Sequence, residues 1–162
     1  MKVRNVHQRT LDASGTQVGA LIDGLAQRGD RLWPEERWPQ LRFDRPLGAG
    51  AVGGHGPVRY VIEAYAPGRG IRCRFTAPRG FLGTHGFEVE DAGGGRTVLR
   101  HVLEMRTTGP ALLSWPLVFR PLHDALIEDA LDRAERSVGM KPAGARWSVW
   151  VRVLRRVLRG RG

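Results

Sequence analysis

Two histidines stand where their side chains could do chemistry. His85 lies in GTHGFEVE and His101 in RTVLRHVLEM, segments that alternate apolar and polar residues around the turn DAGGG. If Glu90 pairs with Arg96 across that turn, Val89 meets Thr97, Phe87 meets Leu99 and His85 meets His101. Directly paired side chains on one face stand about 5 Å apart. Two imidazoles among apolar neighbours can move a proton or orient a ligand; they can equally hydrogen-bond each other, with no further role. Tyr60 shares the inward face of its own strand, and a buried tyrosine hydroxyl needs a partner. A metal ion would need a third and usually a fourth ligand. Glu88 and Glu104 alternate to the opposite face and Cys73 belongs to a different strand. His123 could add a third histidine, but it sits at the edge of an apolar stripe, so no metal and no cofactor are expected. Gly48, Gly50 and Gly53 match G-x-G-x-x-G, yet a strand rather than a helix follows, as a hairpin at a pocket rim would require. The sequence contains no G-x-S-x-G and no pair of carboxylates on one inward face, so nothing in it demands an enzyme.

The elements that position these residues follow from periodicity. Val3–Leu11 reads as a strand. Ser14 and Gln17 form a capping box that starts a helix at Gly15, with Val18, Leu21, Ile22 and Leu25 on its apolar face. Two tryptophans and two prolines in Arg31–Gln40 predict a packed loop or short helical turn. Val58–Ala66 places Val58, Tyr60, Ile62, Ala64 and Ala66 on one face. Ile71, Cys73, Phe75 and Ala77 face inward from the next strand, and Pro78–Gly83 reads as a loop with Phe81 and Leu82 exposed. Leu99, His101, Leu103 and Met105 share a face of the last strand. Short alternating strands joined by tight turns predict an antiparallel sheet with one buried side. Phe119–Val138 is the most periodic stretch. Phe119, Leu122, Leu126, Ala130 and Ala134 recur at steps of three and four, and the charges fall mostly on a face expected to be solvated rather than salt-locked. Its apolar stripe should lie across the sheet.

This order of elements, together with GPVRYVIEAYAPGRGIRCRF, GTHGFEVE and WPLVFRPLHDALIEDALDRAER, resembles the START/Bet v 1-like superfamily, also called SRPBCC or polyketide cyclase/dehydrase-like proteins. The resemblance covers about residues 3–139. It implies an α+β helix-grip fold, in which a curved antiparallel sheet wraps a long C-terminal helix around an apolar cavity. It also implies a hydrophobic small-molecule ligand such as a lipid, polyketide or aromatic metabolite. The ligand contacts would be Tyr60, Phe75, His85, Phe87, Leu99, His101, Leu103, Trp115, Leu122 and Leu126. The alternative is a cyclase, dehydratase or hydrolase with His85 and His101 as its acid–base pair.

The chain ends on a second feature. Its formal charge is +10 over 162 residues, and Lys141, Arg146, Arg152, Arg155, Arg156, Arg159 and Arg161 supply seven of those charges with no acid among them. Residues 1–139 are therefore expected to form the ligand-binding domain and 140–162 a basic tail. On a helix, Trp147, Trp150, Leu154 and Leu158 gather on one side and Arg152, Arg155, Arg156 and Arg159 on the other. Such a helix fits an anionic membrane surface. Nucleic acid would leave the apolar arc unexplained, and packing on the chain's own domain or on a second copy is the alternative. No apolar run spans a bilayer, no secretory h-region precedes the first strand, and Cys73 is the lone cysteine. A cytoplasmic protein is expected, held peripherally at the inner membrane face if the tail binds there.

Overall fold

The structure, a computed structural model, describes residues 1–142 and 144–159, the Arg159 side chain excepted. Seven antiparallel strands are Lys2–Leu11 (β1), Arg42–Phe43 (β2), Val52–His55 (β3), Val58–Ala66 (β4), Gly70–Ala77 (β5), Phe81–Gly93 (β6) and Arg96–Thr107 (β7). They form one sheet in the order β1-β7-β6-β5-β4-β3-β2, so the first strand returns to lie beside the last. Helix α1 (Gly15–Asp23) starts at the Ser14–Gln17 capping box. It packs so tightly on the β4–β5 turn that a Cβ on Gly19 would lie 2.2 Å from the Gly68 carbonyl oxygen. Asp23 closes this end by accepting from the Gly68 amide and the Tyr65 hydroxyl.

The sheet wraps a helical arm of three joined pieces: α2 (Ala111–Ser114), a π-helical turn at Trp115–Phe119 and α3 (Arg120–Ser137). Pro116 and Pro121 enter near the starts of the last two pieces, where a missing N–H costs least. Leu126, Ile127, Ala130, Leu131 and Ala134 of α3 are buried against the sheet's inner face. This is the helix-grip arrangement. A final helix, α4 (Val149–Arg159), packs beside α3. Among the described residues, no helix is long and apolar enough to cross a membrane.

Five expectations need correction. First, the β6–β7 register differs by two residues: His85 pairs with Leu103, Phe87 with His101 and Val89 with Leu99. The strands run on to a tight turn, a bulge between Asp91 and Gly93 takes up the extra residue, and Gly93, Gly94 and Gly95 all adopt positive φ. A shift of two preserves the faces, so both histidines still point inward, as diagonal neighbours. Second, Phe81 begins β6 and is buried; only Leu82 is exposed. Third, a bulge between Ile62 and Ala64 turns Ala64 outward and Tyr65 toward α1.

Fourth, the charged face of α3 is not solvated. Asp129, Asp132 and Glu135 are buried. On one flank, Asp124 and Glu128 engage Asn5, His7 and Arg9 of β1. On the other, Asp129 accepts from Arg37, Trp38 and Trp147. The helix is gripped by ion pairs as well as by its apolar stripe. Fifth, the apolar arc of the tail is divided. Val151 and Arg155 face the domain, and Leu158 reaches the cavity rim. The Arg155 guanidinium lies 4.6 Å from the centre of the Trp38 ring and donates to the Arg37 carbonyl. Trp147 is half-buried, whereas Val149, Trp150, Val153 and Val157 point outward beside Arg152 and Arg156.

Candidate functional site

Between sheet and arm lies a cavity of about 580 Å³, within the range of small-molecule sites. Its wall is mostly aromatic and aliphatic. β4 supplies Tyr60, β5 supplies Phe75, β6 supplies Phe81, His85 and Phe87, and β7 supplies His101 and Leu103. The arm adds Trp115, Leu122, His123, Leu126 and Ile127. Exposed residues of the lining, namely Glu35, Glu36, Arg37, Pro39, Gly56, Pro57 and Leu158, mark the mouth. Of the ten expected ligand contacts, nine lie on this wall. Leu99 does not: it is fully buried in the packed core beyond it.

Away from the charged mouth, the polar side chains of the wall are mostly histidine, with Tyr60 and Cys73 beside them. The chain has five histidines, and they form one row. From the β1 side, the ring of His7 lies 6.0 Å from that of His123, which lies 5.0 Å from His101, itself 5.6 Å from His85. Tyr60 continues the row 4.7 Å from His85, with His55 a further 6.2 Å away. His85 stacks on Phe75, and His101 meets the edge of Phe87, so both rings are oriented by aromatic packing. His85 Nδ1 lies 3.4 Å from His101 Nε2. The outer nitrogens, His85 Nε2 and His101 Nδ1, have no hydrogen-bond partner among the described residues, nor does either nitrogen of His123.

Burial sets the charge of this row. It pushes His55 and His85 down to about 3 and His101 well below the ordinary range, reinforced by neighbouring imidazoles. It lowers His123 too, against the opposing pull of Asp124. His7 is raised, because hydrogen bonding to Asp124 outweighs burial and Glu128 adds to it. The inner row therefore favours its neutral form and can accept or donate hydrogen bonds, while the pull toward protonation lies at the β1 edge. Burial raises the Tyr60 hydroxyl and pushes the Cys73 thiol up to about 12, which leaves Cys73 a poor nucleophile.

The sequence placed His85 and His101 on the inner face and missed His55, His7, Trp33 and Trp38. His55 ends β3 in a glycine-rich stretch with no alternation to orient it, and its ring meets Trp33 at 4.7 Å. His7 lies on a weakly alternating strand whose inward face meets the charged flank of α3 rather than apolar core. Asp129 would have been found only by noticing that it falls three residues beyond Leu126, on the buried stripe itself.

No family model matches the sequence, and no curated protein matches it. Solved structures do. Truncated norcoclaurine synthase from Thalictrum flavum superposes with a TM-score of 0.63 at 16% identity, over 87% of this chain and 96% of that one. CalU16 from Micromonospora echinospora gives 0.60 at 15% identity, over 96% and 83%. A START superfamily protein from Mycobacterium smegmatis gives 0.58 at 12% identity, over 83% and 96%. The chain has the START/Bet v 1-like fold. At these identities the likeness carries architecture alone. Within that frame, this chain sets a row of histidines along the cavity and docks α4 at its mouth.

Proposed function

We propose that this protein binds a largely apolar small molecule, with polar groups along one edge, in the cavity between sheet and arm. The observation that carries the reading is the contrast within the wall: aromatic and aliphatic surface, interrupted by a row of imidazoles whose outer nitrogens lack partners among the described residues. An alkyl chain alone would leave those nitrogens unsatisfied, and an unsatisfied buried polar group costs roughly 1–3 kcal/mol. An aromatic or polyketide-like molecule with hydroxyl or carbonyl groups fits better. Native mass spectrometry of the freshly purified, tag-free chain is expected to find a bound small molecule, and 1-anilinonaphthalene-8-sulfonate should bind with enhanced emission. Leu122→Trp, which fills the wall, should lower the affinity for that dye. Loss of neither signal on filling the cavity would refute the reading.

Acid–base catalysis on such a molecule is the second reading, favoured by His85 and His101 standing within 3.4 Å of each other beside Tyr60. Norcoclaurine synthase from Thalictrum flavum has been solved with dopamine and hydroxybenzaldehyde, so this architecture can hold two aromatic molecules. His85→Phe should abolish turnover but retain dye binding if the histidines are catalytic, and carriage alone would leave no turnover to lose.

The outward half of α4 supports an anionic membrane as partner. Val149, Trp150, Val153 and Val157 are exposed beside Leu112, Leu113 and Leu117, and the Trp150 indole donates to the Leu117 carbonyl, so the two patches adjoin. Arg152 and Arg156 flank them. Each arginine near an anionic surface contributes about 1 kcal/mol. Vesicles containing phosphatidylglycerol should shift tryptophan emission to the blue, and Val153→Glu should abolish the shift. No association at low salt would refute it.

A further inference from the structure

We propose that His7, His123 and Asp124 form a binding site for one divalent transition-metal ion of the zinc and cobalt class, at the β1 side of the cavity. One ligand atom from each residue lies within 4.8 Å of the other two. His7 Nε2 is 3.2 Å and His123 Nδ1 3.6 Å from Asp124 Oδ1. Metal–ligand bonds of about 2.0–2.2 Å in tetrahedral geometry place ligand atoms roughly 3.3–3.5 Å apart. Two edges of the tetrahedron are thus already near their final length.

The hydrogen bonds around the site select for a cation. His7 Nδ1 lies 2.7 Å from Glu128 Oε1, and Arg9 holds the other Glu128 oxygen. A carboxylate on the far nitrogen of a histidine is the usual support for a metal ligand, because it fixes the tautomer and turns the lone pair toward the ion. With Nδ1–H donated to Glu128, the His7 Nε2 lone pair faces a carboxylate oxygen. Something positive must stand between them, a second proton or a metal ion. The proton serves that pair alone; among the described residues it leaves His123 Nε2 without a hydrogen-bond partner and His123 Nδ1 at 3.6 Å from Asp124 Oδ1, longer than a hydrogen bond. A metal ion engages all three residues. Asn5 donates to Asp124 Oδ1, while its own Oδ1 is buried without a partner among the described residues, placed to accept from a metal-bound water. Two imidazoles and one carboxylate suit zinc or cobalt; magnesium and calcium favour all-oxygen sets. Of the three ligands, His123 lines the cavity, so the site adjoins the space where a bound molecule would sit. The site does not depend on the identity of that molecule.

The test uses the tag-free full chain, stripped with EDTA and titrated with Co(II). We expect visible d–d bands of a four- or five-coordinate ion, saturation at one equivalent per chain and displacement by Zn(II). His123→Ala and Asp124→Ala should each weaken Co(II) binding at least tenfold, and Glu128→Gln should weaken it about 10–100-fold. Cys73→Ala should leave it unchanged. If His123→Ala does not fold by circular dichroism, the half-exposed Asp124 and Glu128 carry the test. Absence of the bands at micromolar protein would overturn the proposal and leave His7 as an imidazolium between two carboxylates. So would binding that survives Asp124→Ala, or that is lost in His85→Ala instead.

Discussion

Replacing Asp129 by alanine tests how the helical arm is held. Its carboxylate is 2% exposed and accepts from three donors: Arg37 Nη1 at 2.7 Å, Trp38 Nε1 at 2.7 Å and Trp147 Nε1 at 2.9 Å. These donors come from the loop before β2 and from the segment before α4, so a single side chain ties both to α3. A hydrogen bond to a charged acceptor contributes about 1.5–3 kcal/mol. The Arg37 side chain is 45% exposed, so water takes over most of its charge once the carboxylate is gone, and its share is small. Trp38 is buried and Trp147 half-buried, and their N–H groups lose their acceptor inside a packed ring pair whose centres lie 5.3 Å apart. Asp129→Ala should therefore cost about 3–5 kcal/mol, in line with breaking a buried charged network from one side. Asp129→Asn, which keeps one acceptor oxygen but turns an amide toward the other donor, should fall between. Urea unfolding followed by far-ultraviolet circular dichroism measures the loss. Tryptophan emission should also move to the red as Trp147 leaves its partner. A loss below about 1 kcal/mol with unchanged emission would mean that packing alone holds the tail, contrary to this account.

Leu126→Ala removes a buried leucine from the arm's contact with the sheet and should cost about 2–5 kcal/mol in the same assay; less than about 1 would show that the arm is not the core element. Gly86→Ala should be strongly destabilising, since a Cβ there would lie 1.9 Å from the Ile71 carbonyl oxygen, and retained wild-type stability would disprove that close approach. Burial pushes His55 and His85 down to about 3, below the value of about 6.5 in an unfolded chain. The unfolded state then takes up protons that the fold refuses. The stabilisation is complete above about pH 6.5 and is lost toward pH 3, by at most about 1.4 kcal/mol per pH unit for each histidine, less where water enters the cavity. Urea midpoints that stay level between about pH 7 and about pH 5 would contradict it. Cys73, with its thiol pushed up to about 12, should react with iodoacetamide near pH 8 far more slowly in the native chain than in urea, and equal rates would place it at the surface.

The strands and the long helix were legible because each repeats with the period of its own geometry. Alternation put Tyr60, Phe75, His85, Phe87, His101 and Leu103 on one side of the sheet, and the structure keeps them there. What alternation cannot supply is register beyond parity. A face survives a shift of two, so the pairing of His85 with His101 failed while their common orientation held. The glycine turn at residues 93–95 decides the register through backbone conformations open to glycine alone, and composition does not say which of its residues enters the bulge. His55 was lost for the same reason, in a stretch of glycines with no side-chain pattern.

The charged flank of α3 raises a different issue. Hydropathy treats Asp124, Glu128, Asp129 and Asp132 alike and assigns them to water. In the fold they meet Asn5, His7 and Arg9 on one side and Arg37, Trp38 and Trp147 on the other, at sequence separations of 18 to 121 residues. Burying carboxylates is favourable only with partners of this kind in place, and partners so distant leave no local signature. The two flanks also divide the labour around the cavity. Asp129 anchors the elements that frame the mouth, whereas Asp124 and Glu128 raise the pKa of His7 at the β1 edge, opposite in sense to the burial that lowers the row behind it. Apolar periodicity thus built the container, and the polar residues it misassigned tie the arm to β1 on one flank and to the elements around the mouth on the other.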